Sequence, residues 1–229
     1  QVVATGASGL TVNPVISIPA TALTGTALGV RVRLTAVSTP GATGELSSLG
    51  EVEDYMVTIL VSTTDFGDFS SFGDASSTRN SSLRLGATTD TEYASTRNAG
   101  ATGDDTTGVD DEDGVTMPAL TAGAPATIPV MVTNTTGATA YLNAWIDYNN
   151  NGVLTDAGEQ VAANVAVTAG LTDSTQNLAV TVPASALTGT SLGARFRLTS
   201  TSSPGATGAS GNGEVEDYVV SIALPPLDY

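Results

Sequence analysis

The sequence contains no cysteine, no histidine and no lysine. Without Cys there is no disulfide staple and no thiolate metal site. Without His the commonest general base and the commonest transition-metal ligand are missing. Without Lys there is no Schiff-base chemistry, no Lys-linked sortase-type polymerisation and no internal Lys–Asn isopeptide bond. All seven bases are arginines: Arg31, Arg33, Arg79, Arg84, Arg97, Arg195 and Arg197. Aromatic residues make up only 5%, and Trp145 is the single Trp. No apolar run approaches the roughly 18 residues of a membrane-spanning helix. The chain opens at Gln1 without an initiator Met or a signal-like stretch, which reads as a processed product or an excised segment.

What is present is acidic and moderately apolar. Across 229 residues, 41% are hydrophobic, enough to bury a core in one or two domains. Only 13% are charged, and 23 acids stand against seven bases for a net charge of −16. Such a surface repels nucleic acid and anionic membrane and attracts cations. Polarity otherwise comes from Thr, Ser, Asn and Gly alternating with apolar residues, a pattern that suits an extracellular β protein.

An internal repeat organises the chain. Residues 19–44 align with 183–208, and 19 of the 26 positions are identical. The match continues through GEVEDY at 50–55 and again at 213–218. Aligning Asp65 of DFGD with Asp228 gives a period of 163 residues, so both ends fall inside a repeat and the parent molecule is expected to be longer.

The fold class that follows is all-β: tandem Ig-like or jelly-roll-type β-sandwich repeats joined by acidic Gly/Ser/Thr/Asp-rich segments. Strands are predicted at Ala126–Thr133, Ala140–Asp147, Gln160–Val167, Gln176–Val182, Ala194–Ser200 and Glu214–Ala223, with a short one at Val115–Met117. Short strands spaced by turns, with no helix-length amphipathic stretch, argue a sandwich over 114–223. Pro183 and the ASALTG after it read as a crossover turn, with room for one helical turn. Residues 61–113 read as a DFGD/acidic connecting segment, and 224–229 as the start of the next one. Residues 1–60 hold only the C-terminal half of a first sandwich. Its front half either lies upstream or is supplied by another molecule through strand donation.

The sharpest motif is DYNNNGVLTDAGE at 147–159. Oxygen-bearing residues at positions 1, 3 and 5, a Gly at 6 and a carbonyl at 7 match the front of an EF-hand-type loop. The candidate ligands are Asp147, Asn149, Asn151 and the Val153 carbonyl, closed by Asp156 or Glu159. Position 12 is Gly158, one residue before the Glu, and the competing reading of Asn151-Gly152 is a metal-free primed hairpin turn. Ligands that are all oxygen point to Ca²⁺ rather than Zn²⁺ or Cu²⁺.

A second cluster comprises Asp104, Asp105, Asp110, Asp111, Glu112 and Asp113. It is either a solvated acidic linker or a cation site that stiffens the joint, which Asp65, Asp68, Asp90 and Glu92 could join. In the second GEVEDY, strand alternation puts Glu214 and Glu216 on the core face with Tyr218. They must therefore lie at a sandwich end, in a bulge or on a cation, and Glu51 and Glu53 repeat the problem in the first copy. Asp217 is predicted on the outer face, paired across strands with outward-facing Arg195 or Arg197.

The two GEVEDY motifs, AWIDYNNNGVLTDAGEQ, DFGD and GDDTTGVDDEDGV together resemble the GEVEDY-domain family of bacterial secreted and surface proteins. The resemblance implies tandem arrays in adhesin-like or matrix-like extracellular proteins, with no enzymatic activity and no defined ligand. The chain departs from that family at DFGDFSSFGD, where members more often carry a DFGDAPDSYG-like stretch.

The functional expectation is a non-catalytic structural or adhesive element, a calcium-stiffened stalk or filament on the cell surface or in matrix. Its partners are other repeats or subunits of its own kind, with neither nucleic acid nor membrane insertion. The alternative is a calcium-dependent glycan-binding module, which a loop lacking one ligand beside exposed aromatics such as Tyr148 would favour. Sequons stand at Asn80 and Asn134.

Overall fold

The computed structural model describes residues 2–3, 8–19, 22–36, 41–43, 50–103 and 110–226. Asp104, Asp105 and the Asp228-Tyr229 that fixed the repeat period lie outside the described residues. The chain divides into two units, Gln1–Val61 and Ser62–Tyr229. Among the described residues all regular structure is strand, and no helix is long and apolar enough to cross a membrane.

The first unit is built on one hairpin. Strand β1 (Ala27–Thr35) pairs antiparallel with β2 (Gly50–Thr58), from Ala27 opposite Thr58 to Thr35 opposite Gly50. Val32, Leu34, Val52, Tyr55 and Met56 remain exposed on it.

The second unit is a sandwich of ten strands, β3 (Thr64–Phe66), β4 (Ala75–Arg79), β5 (Leu83–Leu85), β6 (Leu120–Thr121), β7 (Pro125–Asn134), β8 (Ala140–Ile146), β9 (Gln160–Val167), β10 (Leu171–Thr181), β11 (Ser191–Thr199) and β12 (Gly208–Ala223). One sheet has the order β10-β7-β5 and the larger one β3-β4-β12-β11-β8-β9, with β6 paired to the end of β12. Apolar residues at every second position of β7 (Ile128, Val130, Val132), β8 (Leu142, Ala144, Ile146) and β11 (Leu192, Ala194, Phe196, Leu198) fill the space between the sheets. Each large one, wholly buried, contributes about 1.5–3 kcal/mol. Val115 makes an isolated bridge to Val130 rather than a strand. The Pro183 crossover is a turn closed by the Ala186 N–H on the Pro183 carbonyl at 3.1 Å.

Of the stretch 61–113, expected to be a connector, the described residues from Ser62 onward are instead built into this unit. Strands β3 and β4 extend the large sheet, because β4 lies parallel to the start of β12. Strand β5 extends the smaller sheet against β7. The few apolar residues of this stretch carry the attachment: Leu83 and Leu85 enter the main core, while Phe69, Phe72 and Ala101 join Trp145, Leu154 and Ala206 in a second one.

That second core corrects the expectation of outward-facing arginines. Arg195 and Arg197 are wholly buried, because the FGDFSSFG turn lies over their face of the large sheet. Gly193 makes the fit possible: a Cβ there would strike the rings of Phe69 and Phe72.

Candidate metal sites

Two gatherings of oxygen atoms stand out, one in the loop between β8 and β9 and one where β12 meets the front of the unit. The loop is fixed at both ends by backbone pairing. Ile146 N–H reaches the Glu159 carbonyl at 2.9 Å, and Asp147 N–H reaches the Gly193 carbonyl at 3.0 Å. The chain then curls round Asp147, whose two carboxylate oxygens accept the N–H groups of Asn151 (3.1 Å) and Gly152 (2.8 Å). Gly152, at φ 77°, supplies the left-handed step of that reversal, and a Cβ there would lie 2.6 Å from the Ser71 carbonyl. The loop is therefore not a two-residue hairpin turn; it is a 13-residue wrap from Asp147 to Glu159.

The wrap brings the sequence-predicted ligands together. The side-chain amides of Asn149 and Asn151 each donate to Asp156 Oδ2 at 2.8 Å, and these bonds hold Asp156 below its ordinary pKa. Asn151 Oδ1 accepts the Val153 N–H at 2.8 Å, which places the Val153 peptide beside them. Glu159 is 2% exposed, and its Oε2 has no hydrogen-bond partner. Burial and then the neighbouring Asp147 push its pKa up. A buried acid facing another acid, with one oxygen unused, is the arrangement a cation would complete.

Tyr148 points the other way. It is buried in the main core, and burial followed by Glu159 raises its phenol to about 12. Tyr148 therefore does not supply the exposed aromatic that would favour the glycan-binding alternative.

The second gathering joins residues from both remaining sets of sequence candidates. Glu216 Oε1 accepts the Gly114 N–H at 2.9 Å and its Oε2 accepts the Tyr218 hydroxyl at 3.0 Å. Glu214 accepts the Leu85 N–H. Asp65 accepts the Val215 N–H at 2.7 Å, and Asp111 the Asp90 N–H at 3.0 Å. The core-facing glutamates are thus accommodated because strand β5 and Gly114 aim backbone donors at them. Burial pushes Asp65, Glu214 and Glu216 well above their ordinary pKa values, and the charge of Asp111 adds to the rise in all three.

The other candidates make different hydrogen bonds, although the charge of Asp113 also raises Glu216. Asp113 closes a turn by accepting from Ala87 N–H (2.8 Å) and from the Thr88 hydroxyl (2.9 Å). Asp110 is exposed, with its carbonyl receiving the Thr88 hydroxyl, and Glu112 is half-buried. Glu51 and Glu53 lie exposed on the first hairpin, where Tyr55 donates to Glu53. Among the described residues, no three acidic side chains already form an assembled metal cage. Asp65, Asp111, Asp113, Glu214 and Glu216 are instead each held on a backbone donor.

Sequence reasoning named Asp65 and Asp90 only as possible additions. No local spacing marks them as partners of a motif about 150 residues away. The sequon at Asn134 is shut inside the fold, with its amide donating to the carbonyls of Ala138 and Val167 at 2.8 Å.

Residues 141–221, from β8 through most of β12, match the family model of the GEVED domain. No curated protein matches the chain.

Proposed function

We propose that this chain, in which residues 141–221 form a GEVED domain, is a non-catalytic extracellular structural or adhesive repeat protein, stiffened by calcium into a stalk or filament. The observation that carries the reading is the Asp147–Glu159 wrap, in which a buried carboxylate with an unpartnered oxygen faces a second buried carboxylate. Asp147, Asn149, Asn151, the Val153 carbonyl, Asp156 and Glu159 would hold the ion. The donor set is all oxygen, which suits Ca²⁺.

A bound calcium supplies positive charge where the fold concentrates negative charge. The chain's own residues do the rest. Asp147 and Glu159 anchor the two ends of the loop, and the asparagines bring Asp156 to it. Leu154 and Ser71 tie the loop to the second core. Because the ion binds the folded loop and not the unfolded chain, it raises stability by linkage, about 2.7 kcal/mol at one hundred times Kd. The repeat of β1 and β2 by β11 and β12, with 19 of 26 identities in the aligned stretch, supports an array of such units whose natural partner is its own kind.

Calorimetry in calcium and in EDTA tests the calcium reading: a rise in Tm with calcium is expected, and an unchanged Tm contradicts it. Electron microscopy of the native material tests the assembly, with periodic fibres or long rods expected and dispersed single particles contrary.

A further inference from the structure

Four stretches distant in sequence bring five acids together at the front of β12. Asp65 comes from β3, Asp90 from the loop after β5, Asp111 from the segment before Gly114, and Glu214 and Glu216 from β12 itself. Asp65, Asp111, Glu214 and Glu216 are each at most 3% exposed. Among the described residues no Arg forms an ion pair with Asp65, Glu214 or Glu216. The charge of Arg197 meets that of Asp65, but its terminal nitrogens are taken by the carbonyls of Gly205 (2.6 Å), Ser76 (2.8 Å) and Gly208 (3.1 Å), and its Nε donates to no acceptor. Several like charges buried together without a matching cation cost far more than their single backbone hydrogen bonds return.

Glu214 makes the second point. It is 1% exposed; Oε2 takes the Leu85 N–H, while Oε1 has no hydrogen-bond partner. The groups whose charges act on it are Glu216, Asp65 and Asp111. Backbone donors hold Asp65, Glu214 and Glu216 in place from Val215, Leu85 and Gly114, which leaves further lone pairs on each carboxylate for another ligand.

We propose that Asp65, Asp90, Asp111, Glu214 and Glu216 form a second divalent-cation site, a clasp that fastens residues 62–113 to the last strand of the sandwich. Hard carboxylate oxygens from five side chains, with no nitrogen or sulfur donor, specify a calcium-class ion with room for water to complete six to eight ligands. The two glutamates of the motif act as the fixed jaw, and Asp65, Asp90 and Asp111 arrive on the segment being fastened. The site is separate from the Asp147 loop and does not depend on it. Glu51 and Glu53, the equivalents in the first hairpin, stand exposed.

The test is calcium stoichiometry of the full chain, measured by equilibrium dialysis with calcium alone and by calorimetric titration. Wild type is expected to bind two ions within the described unit, Asp147→Ala one fewer and Glu214→Gln one fewer. The double variant is expected to lose both. Loss at Asp147→Ala with no loss at Glu214→Gln overturns the clasp while leaving the loop site standing; the reverse pattern does the opposite. If Glu214→Gln keeps wild-type stoichiometry and melts higher in EDTA, protons rather than an ion occupy the cluster, and the proposal fails. Should that variant not fold, anomalous diffraction from wild-type crystals grown in calcium decides: a peak bounded by Glu214 and Asp111 supports the site, and a filled loop with no such peak refutes it.

Discussion

The guanidinium of Arg195 grips Asp217 through two parallel hydrogen bonds of 2.7 Å, with both side chains wholly buried. Its remaining nitrogen reaches the carbonyls of Gly73 (2.7 Å) and Ala206 (2.9 Å), and the ring of Phe72 covers it at 5.2 Å. The same fork recurs at Arg31 and Asp54, at 2.7 and 2.8 Å, with the Ala42 carbonyl in the place of Ala206. There both partners are exposed. One sequence motif thus makes one geometry in two solvents.

Removing the acid from each copy separates geometry from environment. Asp217→Ala strands a buried guanidinium and is expected to cost about 3–5 kcal/mol. Asp54→Ala, in water, is expected to leave the unfolding curve in place. Urea denaturation followed through Trp145 fluorescence measures the first, and equal losses in the two variants would refute the account.

Gly193 should tolerate no side chain. Gly193→Val drives a branched group into the rings of Phe69 and Phe72, at an expected cost of about 1–3 kcal/mol. Limited proteolysis should then cut within residues 66–103 before the sandwich itself is attacked. Cleavage rates equal to wild type would show that the two rings do not rest on the sheet.

Glu159→Gln should have effects of opposite sign in the two buffers. Neutralising it relieves repulsion from Asp147, so Tm in EDTA rises. It also removes a charged ligand, so the gain on adding calcium shrinks. A variant that loses stability in EDTA would show that the Glu159 charge is paired by something other than an ion.

In chelator, stability should climb as pH falls from neutrality. Folding raises the proton affinity of Asp65, Glu214 and Glu216, so the folded state binds more protons than the unfolded chain, and unfolding free energy falls as pH rises through their folded-state values. The gain accrues down to their ordinary values of 3.8 for Asp and 4.5 for Glu. Below those values, acids held low by a partner, such as Asp54 and Asp156, contribute in the opposite sense. Urea midpoints at pH 7 and pH 5 in EDTA measure the slope. The Glu214→Gln/Glu216→Gln pair should flatten it, and an unchanged slope would discount these residues as its source.

Strands whose apolar residues alternate were readable. Alternation in β7, β8 and β11 gave their positions within a few residues, and Gln160–Val167 matches β9 at both ends. The order Asp-x-Asn-x-Asn-Gly marked the wrap because its partners lie within 13 residues. The stretch 61–113 was misread for a physical reason. Its strands are three to five residues long, too short to show a period, and its hold on the sandwich comes from two Phe, two Leu and buried Asp side chains. Arg195 looked solvent-facing because alternation distinguishes two faces of a sheet but cannot tell whether a distant loop covers the second. Glu214 and Glu216 were recognised as needing partners, yet the backbone donors that meet them come from residues 85 and 114.

The bonds from Val215 N–H to Asp65 and from Phe69 N–H to Asp217 span 150 and 148 residues. A polypeptide emerging from its N-terminus can pair β5 with β7 early, but Asp65 and Phe69 have no partner on β12 until the final strand is made. The docking of β4 beside β12 must wait until the rest of the unit is synthesised. Closing so long a loop puts folding of this unit at the slow end of the scale for small domains, about milliseconds to seconds. A chain that cannot finish folding early is also one that can still be threaded through a narrow pore.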